Sequence, residues 1–271
     1  MVSLYGALFY GAGSGAMRPL KVLWAALGLM VLLTSFAAQA RDLVIFGEPT
    51  LETALRRLGA TWRERSGIRV NVFVAPSDLS FAQIERGARC DIIFALAGRV
   101  TQEAERRGII KANTAKPIFR NALVLVESRD RPRVPANRSD PKSLVGERKL
   151  AIANPDRDLA GTYGSEWLRQ IGIRQGDNNI VVAESSAGVA TLIADNVAQV
   201  GIVYATDAAR RPNLAIALPI AGESHPAIDY VVAEAMDSQA DIKSFLEFLG
   251  SAEAKAIFAA AGLQSAGETR S

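Results

Sequence analysis

LAIANPDRDLAGTYGSEWLRQI, residues 150–171, changes its backbone period part-way along. The apolar run 150–153 has the character of a buried strand. Asn154-Pro155-Asp156 then breaks it, because a fixed proline φ and the Asn and Asp side chains favour a turn. From Ala160 the period is helical, with Tyr163, Trp167, Leu168 and Ile171 recurring at three- and four-residue spacing. A strand, loop and helix in that order aim the unpaired N–H groups of the helix N-terminus at one spot, and the helix dipole makes that spot attractive to an anion. Taken alone, the stretch reads first as an ordinary β-α connection. Its recurrence along the chain gives it weight.

The same unit returns on both sides. Residues 43–46 form an apolar run followed by Gly47-Glu48-Pro49-Thr50. Leu51, Ala54, Leu55 and Leu58 then mark one face of a helix ending near Ser66-Gly67, with Thr50 at the N-cap position. Strand 70–74, loop Ala75-Pro76-Ser77-Asp78 and helix 79–86 repeat the pattern, with Ser77 as the cap candidate. Further strands are expected at 91–96, 123–127, 150–153, 180–183, 200–204, 214–219 and 230–233. Helices are expected at 100–107 and at 187–196, the latter entered through Glu184-Ser185-Ser186. Two more, 239–249 and 252–261, close the chain with Phe245, Phe248, Ile257 and Phe258 inward.

Such alternation predicts α/β architecture, with parallel sheets, right-handed crossovers and a ligand beyond the carboxyl ends of the strands, where every cap candidate lies. The proline- and charge-rich segment 129–141 and the strand returning near Tyr230 imply two lobes joined by two crossings: 41–125 with 232–271, and 126–231.

A chain of 271 residues, 49% of them hydrophobic, can bury the core of two lobes. Its first forty residues read as an address. Arg18 and Lys21, the apolar run 22–33 and Ala38-Gln39-Ala40 make a signal peptide cleaved after Ala40, too short and wrongly flanked for a membrane span. Met17 is its natural start, which makes residues 1–16 an upstream extension. Cleavage removes two of 31 basic and none of 28 acidic residues, leaving 29 against 28 and a net charge of +1. That balance gives no footprint for nucleic acid or an anionic membrane.

Cys90 is the only cysteine, so there is no internal disulfide and no lipid-bearing cysteine after the apolar run. Export without either points to the periplasm of a Gram-negative bacterium. Cys90 itself reads as a small buried hydrophobe, and the one histidine, His225, as a solvent-facing loop residue. With no G-x-S-x-G and no H-E-x-x-H, an exported hydrolase is only a remote alternative; one His and one Cys make a poor metal-ligand set. No enzyme activity and no cofactor are expected.

The segments LVIFGEPTL, QIERGARCDIIF, RNALVLV, LAIANPDRDLAGTYGSEWLRQIG, GIVYATDA and IKSFLEFLGSAEAKAIFAAAGL, in this order and spacing, resemble the periplasmic molybdate-binding proteins of ABC importers. AGTY after the turn, and GIVY followed by an aspartate, are the most specific of them. The resemblance spans essentially all of the chain after residue 40. It implies a type II periplasmic binding protein, a monomer whose two α/β lobes close on a ligand, delivering molybdate or tungstate to a membrane permease. It further implies that the oxyanion is gripped by neutral groups: the hydroxyls of Thr50, Ser77 and Tyr204, and backbone N–H at Ala160 and Ser186. Neutral donors at converging helix ends stabilise a dianion without a fixed countercharge.

Three departures stand out: Glu48-Pro49 before Thr50, Pro76 and Asp78 flanking Ser77, and Leu159 in place of a proline. Acidic Glu48 and Asp78 oppose an anion if they point inward. They keep open another oxyanion, or a neutral or cationic solute, as ligand. Thr50, Ser77 and Ser186 are also what plain helix caps would be, and Tyr204 what a strand-end tyrosine with its hydroxyl in water would be.

Overall fold

The computed structural model describes residues 41–130, 140–174, 179–240 and 242–266. The signal segment 1–40 and most of the 129–141 linker therefore lie outside the described residues. Two sheets organise the chain. The first has the order β11-β4-β10-β3-β1-β2, with β1 at Leu43–Gly47, β2 at Val70–Val74, β3 at Ile92–Leu96, β4 at Lys116–Asn121, β10 at Ile228–Glu234 and β11 at Gln264–Ser265. The second has the order β7-β6-β8-β5-β9, with β5 at Leu123–Ser128, β6 at Leu150–Ala153, β7 at Ile180–Ala183, β8 at Val200–Tyr204 and β9 at Leu214–Pro219. Each sheet with its flanking helices is one α/β lobe.

The sheets are mixed, which corrects the expectation of parallel ones. Strands β2-β1-β3 and β7-β6-β8 are parallel triplets, but β10 beside β3 and β5 beside β8 are antiparallel. The reason lies in the route of the chain. β5 and β10 are the strands by which it enters one lobe from the other, so they start where the parallel strands end: Leu123 pairs with Tyr204, and Tyr230 with Leu96. We place the two crossings at Ala122 and within 220–227, a few residues from the divisions after 125 and 231 expected from the sequence.

Continuous apolar runs become strands covered on both faces: every residue of β1, β6 and β8 is buried. Helix Glu52–Ser66 buries Ala54, Leu55, Leu58 and Trp62 at helical spacing. Trp62 meets Phe245 edge-on at 5.4 Å and lies 5.3 Å from Phe248, which docks helix Lys243–Leu249 on the first lobe. Such aromatic pairs contribute about 0.5–1.5 kcal/mol beyond the area they bury. That helix begins at Lys243, later than the expected 239.

A wholly buried Asp91 fastens the same region. Its carboxylate accepts the N–H of Val44 at 2.8 Å, of Gln239 at 3.0 Å and of Ala240 at 3.3 Å, with Arg89 at 3.3 Å. β4 and β11 were not expected from the sequence. Pro117 obscures β4, yet it sits beside the register shift at Tyr230/Val231, and β11 reaches only Phe119 and Arg120.

His225 is not solvent-facing. It is buried, its ring stacked on Tyr163 at 5.3 Å, because helix Leu159–Gln170 packs against the 222–224 turn. Cys90 is buried as expected; burial pushes its thiol up to about 12, so it stays protonated and inert.

Candidate functional site

The carboxyl ends of both parallel triplets open into one cavity of about 550 Å³, bounded by Thr50, Ser77, Ser186, Tyr204 and Tyr230 among others. Four of the five residues implied by the resemblance line it. The fifth, Ala160, is buried just behind Leu159, with its N–H turned towards Asp158.

In the first lobe Thr50 is not a helix cap. Pro49 opens a single 3-10 turn, Pro49–Leu51, so Thr50 lies within it, and its hydroxyl bonds the Tyr230 hydroxyl at 2.7 Å. Tyr230 also accepts from Asn121 Nδ2 at 3.2 Å. Two hydroxyls sharing one bond leave one hydrogen over to donate into the cavity. Burial pushes the Tyr230 hydroxyl well above the ordinary phenol range, so it remains a donor.

Ser77 is the first residue of helix Ser77–Glu85, after Pro76 at the cap position. Its hydroxyl accepts the N–H of Leu96 at 2.9 Å and donates to Glu48 Oε1, which also takes the Ser77 N–H at 2.6 Å. Glu48 is therefore turned inward and 8% exposed, whereas Asp78 is exposed.

The second lobe repeats this wiring. Ser185, not Ser186, caps helix Ser186–Ala194. The Ser186 hydroxyl accepts the N–H of Tyr204 at 2.9 Å and donates to Asp207 at 2.5 Å. Its backbone N–H goes to Asp158 Oδ2 at 2.8 Å, and Asp158 Oδ1 takes the Ala160 N–H at 2.8 Å as the N-cap of helix Leu159–Gln170. Tyr204, 7% exposed, has its hydroxyl pushed far up by burial and by the neighbouring Asp158 carboxylate; it is not the solvated strand-end tyrosine of the plainer alternative. In both lobes, then, a carboxylate from the first β-α loop holds the N–H of a serine on the second, and that serine's hydroxyl locks the end of the third strand.

Asp158 and Tyr230 were not among the site residues read from the sequence, and Asp207 entered only as the aspartate that follows GIVY. Asp158 had a signal: an aspartate two residues before Ala160 is a helix-cap pattern. The cationic side chains at the cavity are already paired, Arg157 with Glu184 at 3.0 Å and Arg210 with Asp207. Glu48 and Asp158 have no ion-pair partner among the described residues.

Glu48 gives a pH-dependent prediction. Burial raises its carboxyl above the usual range and outweighs the lowering by its Ser77 bonds, while Asp78 adds to the rise. A carboxyl raised on folding favours the native state most below its unfolded value of 4.5, and that contribution is lost as pH rises through the folded value. Glu48→Gln should therefore be more stable than wild type at pH 7, with the gap closing towards pH 4 in thermal melts. A gap that does not change with pH would refute the burial argument.

A family model described as bacterial extracellular solute-binding protein matches residues 43–264. The molybdate-binding protein ModA of Escherichia coli K12 is 25% identical over 226 residues, covering 82% of this chain and 88% of that one. A substrate-binding domain of Clostridium difficile assigned to a molybdenum ABC transporter superposes with a TM-score of 0.73 at 22% identity, over 84% of this chain and all of the other. The periplasmic molybdate-binding protein of Azotobacter vinelandii gives 0.64 at 20%, over 82% and 99%. At these identities the superpositions establish the fold.

Proposed function

Since the chain belongs to the bacterial extracellular solute-binding proteins, a family of binders and not of enzymes, we propose that it captures a tetrahedral oxyanion, molybdate or tungstate, and hands it to the membrane permease of an ABC importer. The mature protein would act in the periplasm after cleavage behind Ala40, which an N-terminal mass measurement on periplasmic material checks. The observation that carries the oxyanion reading is convergence. The N–H groups of Ala160 and Ser186, from the N-termini of two helices, and the buried Tyr204 hydroxyl surround one negative group, with Thr50 and Tyr230 supplying a spare hydroxyl hydrogen across the cavity. Donors gathered in that way suit an anion, and helix N-termini add their dipoles.

A ligand touching both lobes draws them together. Calorimetry on residues 41–271 is the test: molybdate and tungstate should give saturable heat and raise the melting temperature. Tyr204→Phe removes a hydroxyl donor to a charged ligand, a loss of about 1.5–3 kcal/mol, or roughly tenfold to a hundredfold in affinity. No heat and no stabilisation at millimolar anion would sink the reading.

The acidic cavity favours a second one. Glu48 and Asp158 face a lining whose arginines are already paired, which suits a cationic or neutral solute. Stabilisation by amines or amino acids and by no oxyanion would select it.

A further inference from the structure

The donors that would seat an oxyanion are not idle: they are held by the chain's own carboxylates. Asp158 bridges the two helix N-termini, one oxygen on the Ala160 N–H and the other on the Ser186 N–H, both at 2.8 Å, with the Tyr204 hydroxyl facing the same group. A carboxylate presents two oxygens to two N–H groups much as two corners of a tetrahedral oxyanion would. The geometry points to Asp158 as a tethered competitor: a free oxyanion enters by displacing its side chain from the Ala160 and Ser186 N–H groups, so Asp158 sets both the affinity and the selectivity of the cleft.

Two features, exposure and position, make Asp158 rather than Glu48 the displaceable group. Asp158 is only half-buried, and it stands on the loop after the 154–156 turn, beside an exposed Leu159. Like Glu48, it has no ion pair among the described residues, so its side chain can swing outward without stranding a cation. Glu48, by contrast, is buried and takes both the N–H and the hydroxyl of Ser77. While Asp158 stays in place, a dianion meets a like charge at the seat it needs. Every anion must outcompete a group covalently held beside the donors, and weak ligands fail at that step.

The inference rests on the oxyanion reading and is separable from it. Calorimetry with molybdate and tungstate compares wild type, Asp158→Ala and Asp158→Ser at pH 7. Both substitutions should tighten anion binding at least tenfold, since two charge-assisted contacts no longer have to be exchanged. Sulfate, too weak to displace Asp158 in the wild type, should become measurable. Asp158→Ala also removes a helix cap, so the serine, which keeps a capping oxygen but is neutral, decides the matter if the alanine variant folds poorly. Wild type that binds molybdate with either folded variant unchanged or weaker overturns the role of Asp158 and leaves the oxyanion reading standing. Silence of wild type and both variants towards all three anions overturns both.

Discussion

Asp91→Ala should lower the stability of the mature protein by about 3–5 kcal/mol, the largest effect expected of any single substitution considered above. The carboxylate is wholly buried and accepts three backbone N–H groups, from Val44, Gln239 and Ala240, with Arg89 alongside. Alanine leaves the buried Val44 N–H without an acceptor, which costs about 1–3 kcal/mol, and takes from the part-buried N–H groups of Gln239 and Ala240 the bonds that hold them to this lobe. The damage is also long-range in sequence, because Val44 is the second residue of β1 while Gln239 and Ala240 precede the helix carrying Phe245 and Phe248. Asp91→Asn should cost less, since its amide oxygen still accepts, though its NH₂ faces a donor. Urea unfolding measures both, and a loss below about 1 kcal/mol for the alanine variant would show that Asp91 does not fasten this lobe.

Gly161→Ala is the second large effect, and it reaches the site through the backbone. A Cβ there would stand 2.4 Å from the Ala153 oxygen and 2.7 Å from the carbonyl carbons of Ala153 and Asn154, all main-chain atoms that cannot rotate away. Helix Leu159–Gln170 would have to withdraw from the end of β6, taking the Ala160 N–H with it. We expect a net loss of about 1–3 kcal/mol, after the roughly 1 kcal/mol that alanine gains over glycine in a helix, together with at least tenfold weaker binding of the solute. Gly164→Ala, three residues along, is the control. Its Cβ would meet side-chain atoms of Ile202 at 3.2 Å or more, which can yield, so stability should change little. Equal stability and affinity for both variants would remove the close approach from the argument.

Much of this was legible in the sequence because it depends on local periodicity. The 150–171 stretch became strand, Asx turn and helix as its spacing indicated, with Asp156 N–H bonding Asn154 Oδ1 at 3.0 Å. The loops carrying Thr50, Ser77 and Ser186 gathered at one cavity, since the carboxyl ends of parallel strands share an edge. What local pattern could not supply was the partner of each group. Nothing in the order of residues says that the Ser77 hydroxyl is engaged by Glu48, 29 positions earlier, or that Thr50 meets Tyr230 across 180. The antiparallel strands were hidden for a similar reason: direction depends on where the chain re-enters a lobe, not on composition. Asp158 was legible only as a helix cap, since nothing local says that its second oxygen takes the N–H of Ser186, 28 positions later.

One residue, Ala122, separates β4 in the first lobe from β5 in the second, and Asn121 beside it donates to Tyr230 in one lobe and Thr206 in the other at 3.2 and 3.1 Å. So short a connection keeps each half of the cleft at a high effective concentration for the other. A solute bound to one lobe meets its remaining donors without a long tether first being ordered, and little chain entropy opposes the encounter. Lengthening this joint by a few glycines would dilute the second half-site while leaving every contact to the solute intact.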